Sequence, residues 1–136
     1  MNKSLILLST AVLTLATAHA QTAMMMHGRP LHSLGAPTTG QVSAEEKAGQ
    51  VVVTLTDLKT EPGPDLQVWL YTKQAPAKGA TDAAIVAVRH VKVGALKTFN
   101  GTFTFKAPAG TKLADYRSVV LYCAAAKTAF AAGDLK

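Results

Sequence analysis

Short segments rich in β-branched and aromatic residues recur along this chain, and stretches containing glycine or proline separate them. This pattern is typical of strands only a few residues long. No amphipathic helix long enough to cover a sheet accompanies them. We therefore predict an all-β fold, an antiparallel β-sandwich of about seven short strands, with a small β-barrel as the alternative. The predicted strands cover residues 41–43, 51–56, 66–71, 85–93, 101–106, 118–123 and 129–132.

Three of these segments predict more than a strand. In residues 66–71, leucine and valine alternate with glutamine, tryptophan and tyrosine, so the aliphatic face is predicted to be core. Residues 118–123 are the most apolar and predict a strand in the middle of a packed sheet. Residues 129–132, which include Phe130, predict a last edge strand, while the surrounding alanines favour a terminal helix as the alternative.

The N-terminus has the pattern of a secretory signal peptide. A short positive start precedes an apolar stretch, and the small residues Ala18 and Ala20 form a cleavage site before Gln21. The remaining length suits one domain. The predicted organisation is a signal peptide over residues 1–20, a flexible N-terminal tail over 21–37 and a β-sandwich domain over 38–136.

Composition restricts the location and the class of function. After the predicted cleavage site, no apolar run approaches the ~20 residues of a membrane helix, so we expect a soluble periplasmic or extracellular protein without a membrane anchor. The chain has 14 basic and 8 acidic residues, and loss of Lys3 with the leader leaves a formal charge of +5. These charges are scattered, so nucleic-acid binding is not expected. The absence of a nucleophile elbow or a phosphate-binding glycine loop favours a protein that is not an enzyme.

Cys123 is the only cysteine, so no disulfide can form within the chain. The spacing leaves two interpretations open. In the first, Cys123 is a small buried hydrophobic residue of a central strand. In the second, its thiol is reachable and chemically used. Blue-copper and c-type haem sites are excluded, because neither a following histidine and methionine nor a second cysteine is present.

The predicted tail carries possible metal ligands. Thioethers and imidazoles suit copper, and their clustering here predicts a candidate copper site, with simple disorder as the alternative. The candidate ligands are Met24, Met25, Met26, His27 and His32.

Four segments, in this order and with plausible spacing, resemble the DM-thirteen domain family: residues 62–70, 91–97, 116–123 and 130–135. The most specific parts are the Pro-Asp-Leu-x-Val-aromatic-Leu run and the Tyr-x-Ser-Val-Val-x-aromatic-Cys run. Together the matches span residues 39–135, nearly all of the predicted mature chain. The matching positions are Pro64, Asp65, Leu66, Trp69, Tyr116, Tyr122, Cys123 and Phe130.

The resemblance implies an extracellular β-sandwich-like module with a role in electron transfer. It further implies that Cys123 acts as a bare thiol or helps to hold a prosthetic group such as haem or a metal, and that Asp65 caps the turn after Pro64. The chain departs from the family pattern at Ala126, where an aromatic residue is usual.

Three functions follow as hypotheses. The first is an exported redox or electron-transfer module that uses Cys123 with an unidentified redox or protein partner. The second is a non-catalytic binding or adhesion module that presents Trp69 and Tyr71 as an exposed aromatic platform. The third is copper handling through the methionine and histidine residues of the tail.

Overall fold

The computed structural model describes residues 28–136. In this part of the chain, nine strands, one short α-helix and one 3₁₀ turn at Leu113–Asp115 follow one another. The longer elements coincide with the apolar segments of the sequence. The elements are β1 (Arg29–Pro30), β2 (His32–Ser33), β3 (Thr39–Lys47), β4 (Gln50–Lys59), β5 (Leu66–Tyr71), α1 (Asp82–Ala87), β6 (His90–Leu96), β7 (Asn100–Lys106), β8 (Ser118–Cys123) and β9 (Thr128–Asp134).

The strands form two antiparallel sheets. The four-stranded sheet has the order β1-β3-β4-β7, and the five-stranded sheet has the order β2-β9-β8-β5-β6. Their inner faces pack against each other and enclose the main hydrophobic core. The prediction of an antiparallel β-sandwich is confirmed. The barrel alternative is wrong, because the two sheets do not join into one closed sheet.

The inner faces follow the alternation in the sequence. In β5, Leu66, Val68 and Leu70 lie in the main core, as predicted. All six residues of β8 are buried, since this strand pairs with β5 on one side and with β9 on the other. The prediction of a central strand at 118–123 is thus confirmed.

Two sequence predictions are corrected on the outer side of the five-stranded sheet. Residues 85–87 were predicted as strand and belong to α1, whose first turn is capped by the Thr81 hydroxyl accepting a hydrogen bond from Ala84 N at 3.3 Å. The buried side chain of Ile85 packs onto the sheet. Residues 129–132 are strand and not helix, but β9 is not an edge strand because β2 pairs with it.

The predicted tail is described only from residue 28 onward. There, β1 pairs with β3 and β2 pairs with β9, and Leu31 between them is buried in the main core. This portion of the predicted tail therefore belongs to the fold. The predicted signal peptide and the residues Met24, Met25, Met26 and His27 lie outside the described residues. Within residues 28–136, neither helical segment has the length and apolar character that a bilayer crossing requires.

Candidate functional site

Cys123 lies at the end of β8, between Leu66 of β5 and Thr128 of β9 in the strand register. Its side chain is fully buried, with 0% exposure. The thiol donates a hydrogen bond to the carbonyl oxygen of Pro64, with an Sγ–O distance of 3.1 Å. Since a carbonyl oxygen can only accept, this hydrogen bond requires the thiol form of the side chain.

Gly63 lies against the thiol, in a turn whose neighbouring residues are exposed. Gly63 is buried, whereas Pro62 and Pro64 on either side of it are exposed. A Cβ atom at Gly63 would lie 3.3 Å from Cys123 Sγ and 3.0 Å from Cζ of Phe130. Such distances are tighter than ordinary van der Waals contact, so only glycine fits here without displacing a neighbour. We call Gly63, Pro64, Leu66, Cys123 and Phe130 the thiol cluster.

The turn over the thiol is held by the backbone of Asp65. This residue adopts a left-handed conformation, with φ of 54°, which aspartate tolerates better than most residues. Its carbonyl accepts a hydrogen bond from Ala124 N at 3.0 Å, directly after Cys123. Its carboxylate accepts from Gln67 Nε2 at 3.1 Å. Asp65 thus takes part in the turn after Pro64, with its side chain bonded to Gln67.

Phe130 reaches the thiol cluster because of an irregularity in β9. The register between β8 and β9 shifts between the pairs Leu121–Ala131 and Tyr122–Ala129, which leaves Phe130 as the extra residue. As a result, Phe130 and Ala131 both face the main core, although they are neighbours in a strand.

On the opposite face of β5 and β8, three rings form an aromatic stack: Tyr122, Trp69 and His90. The Trp69 ring lies between the other two, with centroids 4.3 Å from Tyr122 and 3.9 Å from His90, and interplanar angles of 25° and 10°. The indole nitrogen donates a hydrogen bond to Gln67 Oε1 at 2.9 Å. His90 Nδ1 donates to the carbonyl of Val88 at 2.6 Å, which fixes the imidazole ring over the indole.

The exposed aromatic platform predicted at Trp69 and Tyr71 is wrong. The two side chains are only 5% and 3% exposed, because the segment between β5 and β6, including α1, covers this face. The Tyr71 hydroxyl donates to the carbonyl of Ile85 at 3.2 Å. Burial raises the pKa of Tyr71 above its ordinary value of 10.0. This buried face removes the surface on which the binding hypothesis depended.

The structure brings most of the predicted family positions together. Pro64, Leu66, Cys123 and Phe130 meet in the thiol cluster, and Trp69 and Tyr122 meet in the aromatic stack. Tyr116 lies in the main core after the 3₁₀ turn. The sequence analysis did not single out His90 and missed its contact with Trp69. The signal was its position one residue before the inward-facing Val91, but only the pairing of β6 with β5 turns this into a contact.

The residues around Cys123 do not fit a haem or a metal ion in this arrangement. The Cys123 thiol is hydrogen-bonded to the Pro64 carbonyl, and Gly63 and Phe130 fill the adjacent space. In residues 28–136, no three histidine, cysteine or acidic side chains are grouped as metal ligands would be. His32, predicted as a copper ligand, donates from Nε2 to the carbonyl of Pro76 at 2.7 Å. The other four predicted copper ligands lie outside the described residues.

Comparison with known proteins gives one family. The family model described as "Electron transfer DM13", the DM-thirteen domain that the sequence resembles, matches residues 30–135. The match begins in β1 and extends beyond β9, and it includes both the thiol cluster and the aromatic stack. No curated protein and no solved structure matches the chain.

Proposed function

The chain belongs to the DM13 electron-transfer family, and from this premise we propose that it is an exported electron-transfer module whose working group is the Cys123 thiol. The observation that carries the proposal is the burial of this thiol under one glycine-containing turn. Family-motif positions distant in sequence, such as Pro64 and Phe130, surround the same sulfur. Export rests on the signal-peptide pattern of residues 1–20.

A single thiol limits the chemistry. A disulfide needs a second sulfur, and with one cysteine in the chain that sulfur must come from another molecule. In such an exchange, the Cys123 thiolate attacks a partner disulfide, forms a mixed disulfide and releases the other partner sulfur as a thiolate. A thiolate of a second partner, which is a dithiol, then attacks Cys123 Sγ and releases the first partner as a dithiol. The remaining thiol of the second partner closes that partner's own disulfide and releases the Cys123 thiolate, so two electrons pass from the second partner to the first. Because the chain cannot close its own disulfide, its two partners set the direction of electron flow.

Access to the sulfur requires movement of residues 61–65. The closed turn is held by the contact between Cys123 and Pro64 and by the hydrogen bond from Ala124 to Asp65. Hydrogen bonds of this kind each contribute about 1 kcal/mol, so the turn can open without unfolding the sheets. Opening would also free the thiol proton from the Pro64 carbonyl. The proposal is therefore a gated thiol, unreactive when closed and reactive when the turn opens.

The bare thiol is the form of the family's chemistry that these residues favour. A ligating sulfur must be a thiolate, whereas Cys123 Sγ donates a hydrogen bond. A large group beside the sulfur would have to displace Phe130 and the backbone of Gly63. We therefore assign no step to a haem or metal.

The test measures how fast the thiol of the folded full-length protein reacts with an aromatic disulfide reagent. Pro62→Gly loosens the turn over Cys123, and Pro108→Gly loosens another exposed proline-containing loop as the matched control. We expect the thiol of the folded wild type to react slowly. Pro62→Gly should react about fivefold faster, because destabilising the closed turn by about 1 kcal/mol, the contribution of one hydrogen bond, changes a rate by that factor. Pro108→Gly should show no such increase.

Two outcomes would overturn the proposal. Folded protein that shows no thiol reaction until global unfolding would mean that the sulfur serves only in packing. Equal acceleration in Pro62→Gly and Pro108→Gly would mean that reactivity follows overall stability and not the turn. Cys123→Ser serves as the blank for both measurements.

A further inference from the structure

We propose that Trp69, held in the aromatic stack, is a second electron-transfer site of this domain, which exchanges single electrons at the outer face of the five-stranded sheet. This site lies on the opposite face of β5 and β8 from Cys123. It goes beyond the proposed thiol function and does not depend on it.

The first support is the geometry of the rings. Aromatic pairs in proteins are commonly about 4.5–7 Å apart between centroids, and both contacts of Trp69 are closer than that range. The nearly parallel planes place both faces of the indole against a neighbouring π-system. The three rings come from three adjacent strands, β8, β5 and β6, so the stack crosses the sheet. Overlap of this kind spreads the charge of an oxidised ring over its neighbours.

The second support is the polar environment of the indole nitrogen. Trp69 Nε1 donates to the Gln67 carbonyl oxygen, and the Gln67 amide nitrogen donates to the Asp65 carboxylate. This chain orients a negative charge and an amide dipole toward the indole. The hydrogen bond between Trp69 and Gln67 is partly buried and therefore less screened than in water, whereas the Asp65 carboxylate lies at the surface. The arrangement lowers the free energy of a positively charged Trp69.

The third support is the route to the surface. Trp69 and Tyr122 are buried, whereas His90 at the other end of the stack is partly exposed. His90 is fixed by its hydrogen bond to Val88. An electron carrier that touches the His90 side of the sheet would therefore be one ring away from the indole, while water is kept from it.

The proposed step balances as a transfer of one electron. A high-potential metal-centred oxidant takes one electron from the indole, and the oxidation state of its metal decreases by one. No bond forms or breaks, and the Trp69 radical cation keeps its Nε1 proton in the hydrogen bond to Gln67. A reduced metal-centred carrier then returns one electron and restores Trp69.

The test uses the full-length chain carrying Cys123→Ser, so that the thiol cannot contribute. A photochemically generated ruthenium(III) tris-bipyridine complex serves as the oxidant, and transient absorption detects the indolyl radical. Trp69 is the only tryptophan, so the signal has one source. We expect the folded protein to be oxidised at least as fast as the same chain unfolded in urea. A tryptophan that serves only in packing would react more slowly when folded, because it is buried.

Variants then test the surroundings of the ring. Gln67→Leu should slow oxidation of the folded protein by about fivefold, the factor for one ordinary hydrogen bond, and should have no effect in urea. His90→Leu should also slow the folded protein only. Tyr116→Phe, in the main core, is the control and should change nothing.

Slower oxidation of the folded than of the unfolded protein would overturn the proposal. So would unchanged rates in both Gln67→Leu and His90→Leu. Neither result bears on the thiol, whose reactivity is measured separately in the protein that retains Cys123.

Discussion

Strands β5 and β8 carry two chemically different faces. On the inner face, Cys123 lies among aliphatic core residues and its polar contact is a backbone carbonyl. On the outer face, its neighbour Tyr122 joins Trp69 and His90 in a stack. The inner face is closed by a second sheet, and the outer face by the segment between β5 and β6. Two groups capable of redox chemistry thus lie back to back on one pair of strands.

The contrast shows how a sheet face can be buried in two ways. A second sheet covers the inner face with apolar side chains, and few polar groups need partners there. The segment that covers the outer face brings backbone carbonyl groups with it, and these need hydrogen-bond donors. Tyr71 donates to the carbonyl of Ile85, and His90 donates to the carbonyl of Val88. Among the described residues, no buried side-chain nitrogen or oxygen is left without a partner.

The largest predicted change is a loss of folding stability on truncating buried residues of β8. Adjacent residues of this strand face opposite sides of the sheet, so they allow the two faces to be compared. Leu121 lies in the main core. Val120 lies among the side chains buried on the outer face of the five-stranded sheet, which we call the outer cluster, and both residues are fully buried. Leu121→Ala should lower the free energy of unfolding by about 2–5 kcal/mol. Val120→Ala removes fewer atoms and should lower it by roughly 2 kcal/mol. Urea denaturation checks both values, and a larger loss at Val120 would show that the outer cluster dominates stability.

A smaller effect is expected at the turn over the thiol. Gly63→Ala places a methyl group against Phe130 and Cys123, and the strain should cost about 1 kcal/mol while opening the turn and speeding the thiol reaction. Gly49→Ala is the control, since Gly49 has φ of 75° with open space around it and should cost a similar amount, about 1–2 kcal/mol. Thiol kinetics decide the outcome. Equal acceleration in the two variants would contradict a local gate.

The smallest predicted change is in the pH dependence of folding stability above pH 10, and it comes from Tyr71 on the outer face. Burial raises the pKa of Tyr71, so above pH 10 the unfolded chain loses this proton while the folded chain still holds it. The stability held by this proton is fully present below pH 10 and is lost as pH rises toward the raised pKa. Tyr71→Phe should lack this part of the decline, at a cost of about 1 kcal/mol at neutral pH. Identical alkaline slopes in urea titrations would indicate that the outer face is open to solvent.

Local pattern predicted the elements whose burial is regular. The alternation in residues 66–71 and the apolar run 118–123 predicted their strands and the central place of β8. Helix α1 was missed because six residues are too short to show a helical period, and Ile85 and Val86 favour strand by composition. The Thr81 cap was the remaining signal. Strands β1 and β2 were missed because two residues carry no period at all.

The candidate site could be predicted in its residues but not in its contacts. The family resemblance selected Cys123, Trp69 and Phe130, and the family model matches the part of the chain that contains them. Whether Trp69 is exposed depends on how the segment between β5 and β6 folds back, which is a tertiary event without a local signature. The approach of Gly63 to Cys123 likewise joins positions far apart in the chain.

Strands β1 and β2 are separated by one residue, yet they belong to different sheets. The segment therefore connects the two sheets at one end, and Leu31 between the two strands packs in the main core. An expression fragment that starts at residue 38 would lack β1 and β2, which would leave the edges of β3 and β9 unpaired where these strands pair with them. Unpaired margins of this kind recruit further chains, so such a fragment would be prone to aggregate, and useful recombinant versions of the domain should begin before residue 29.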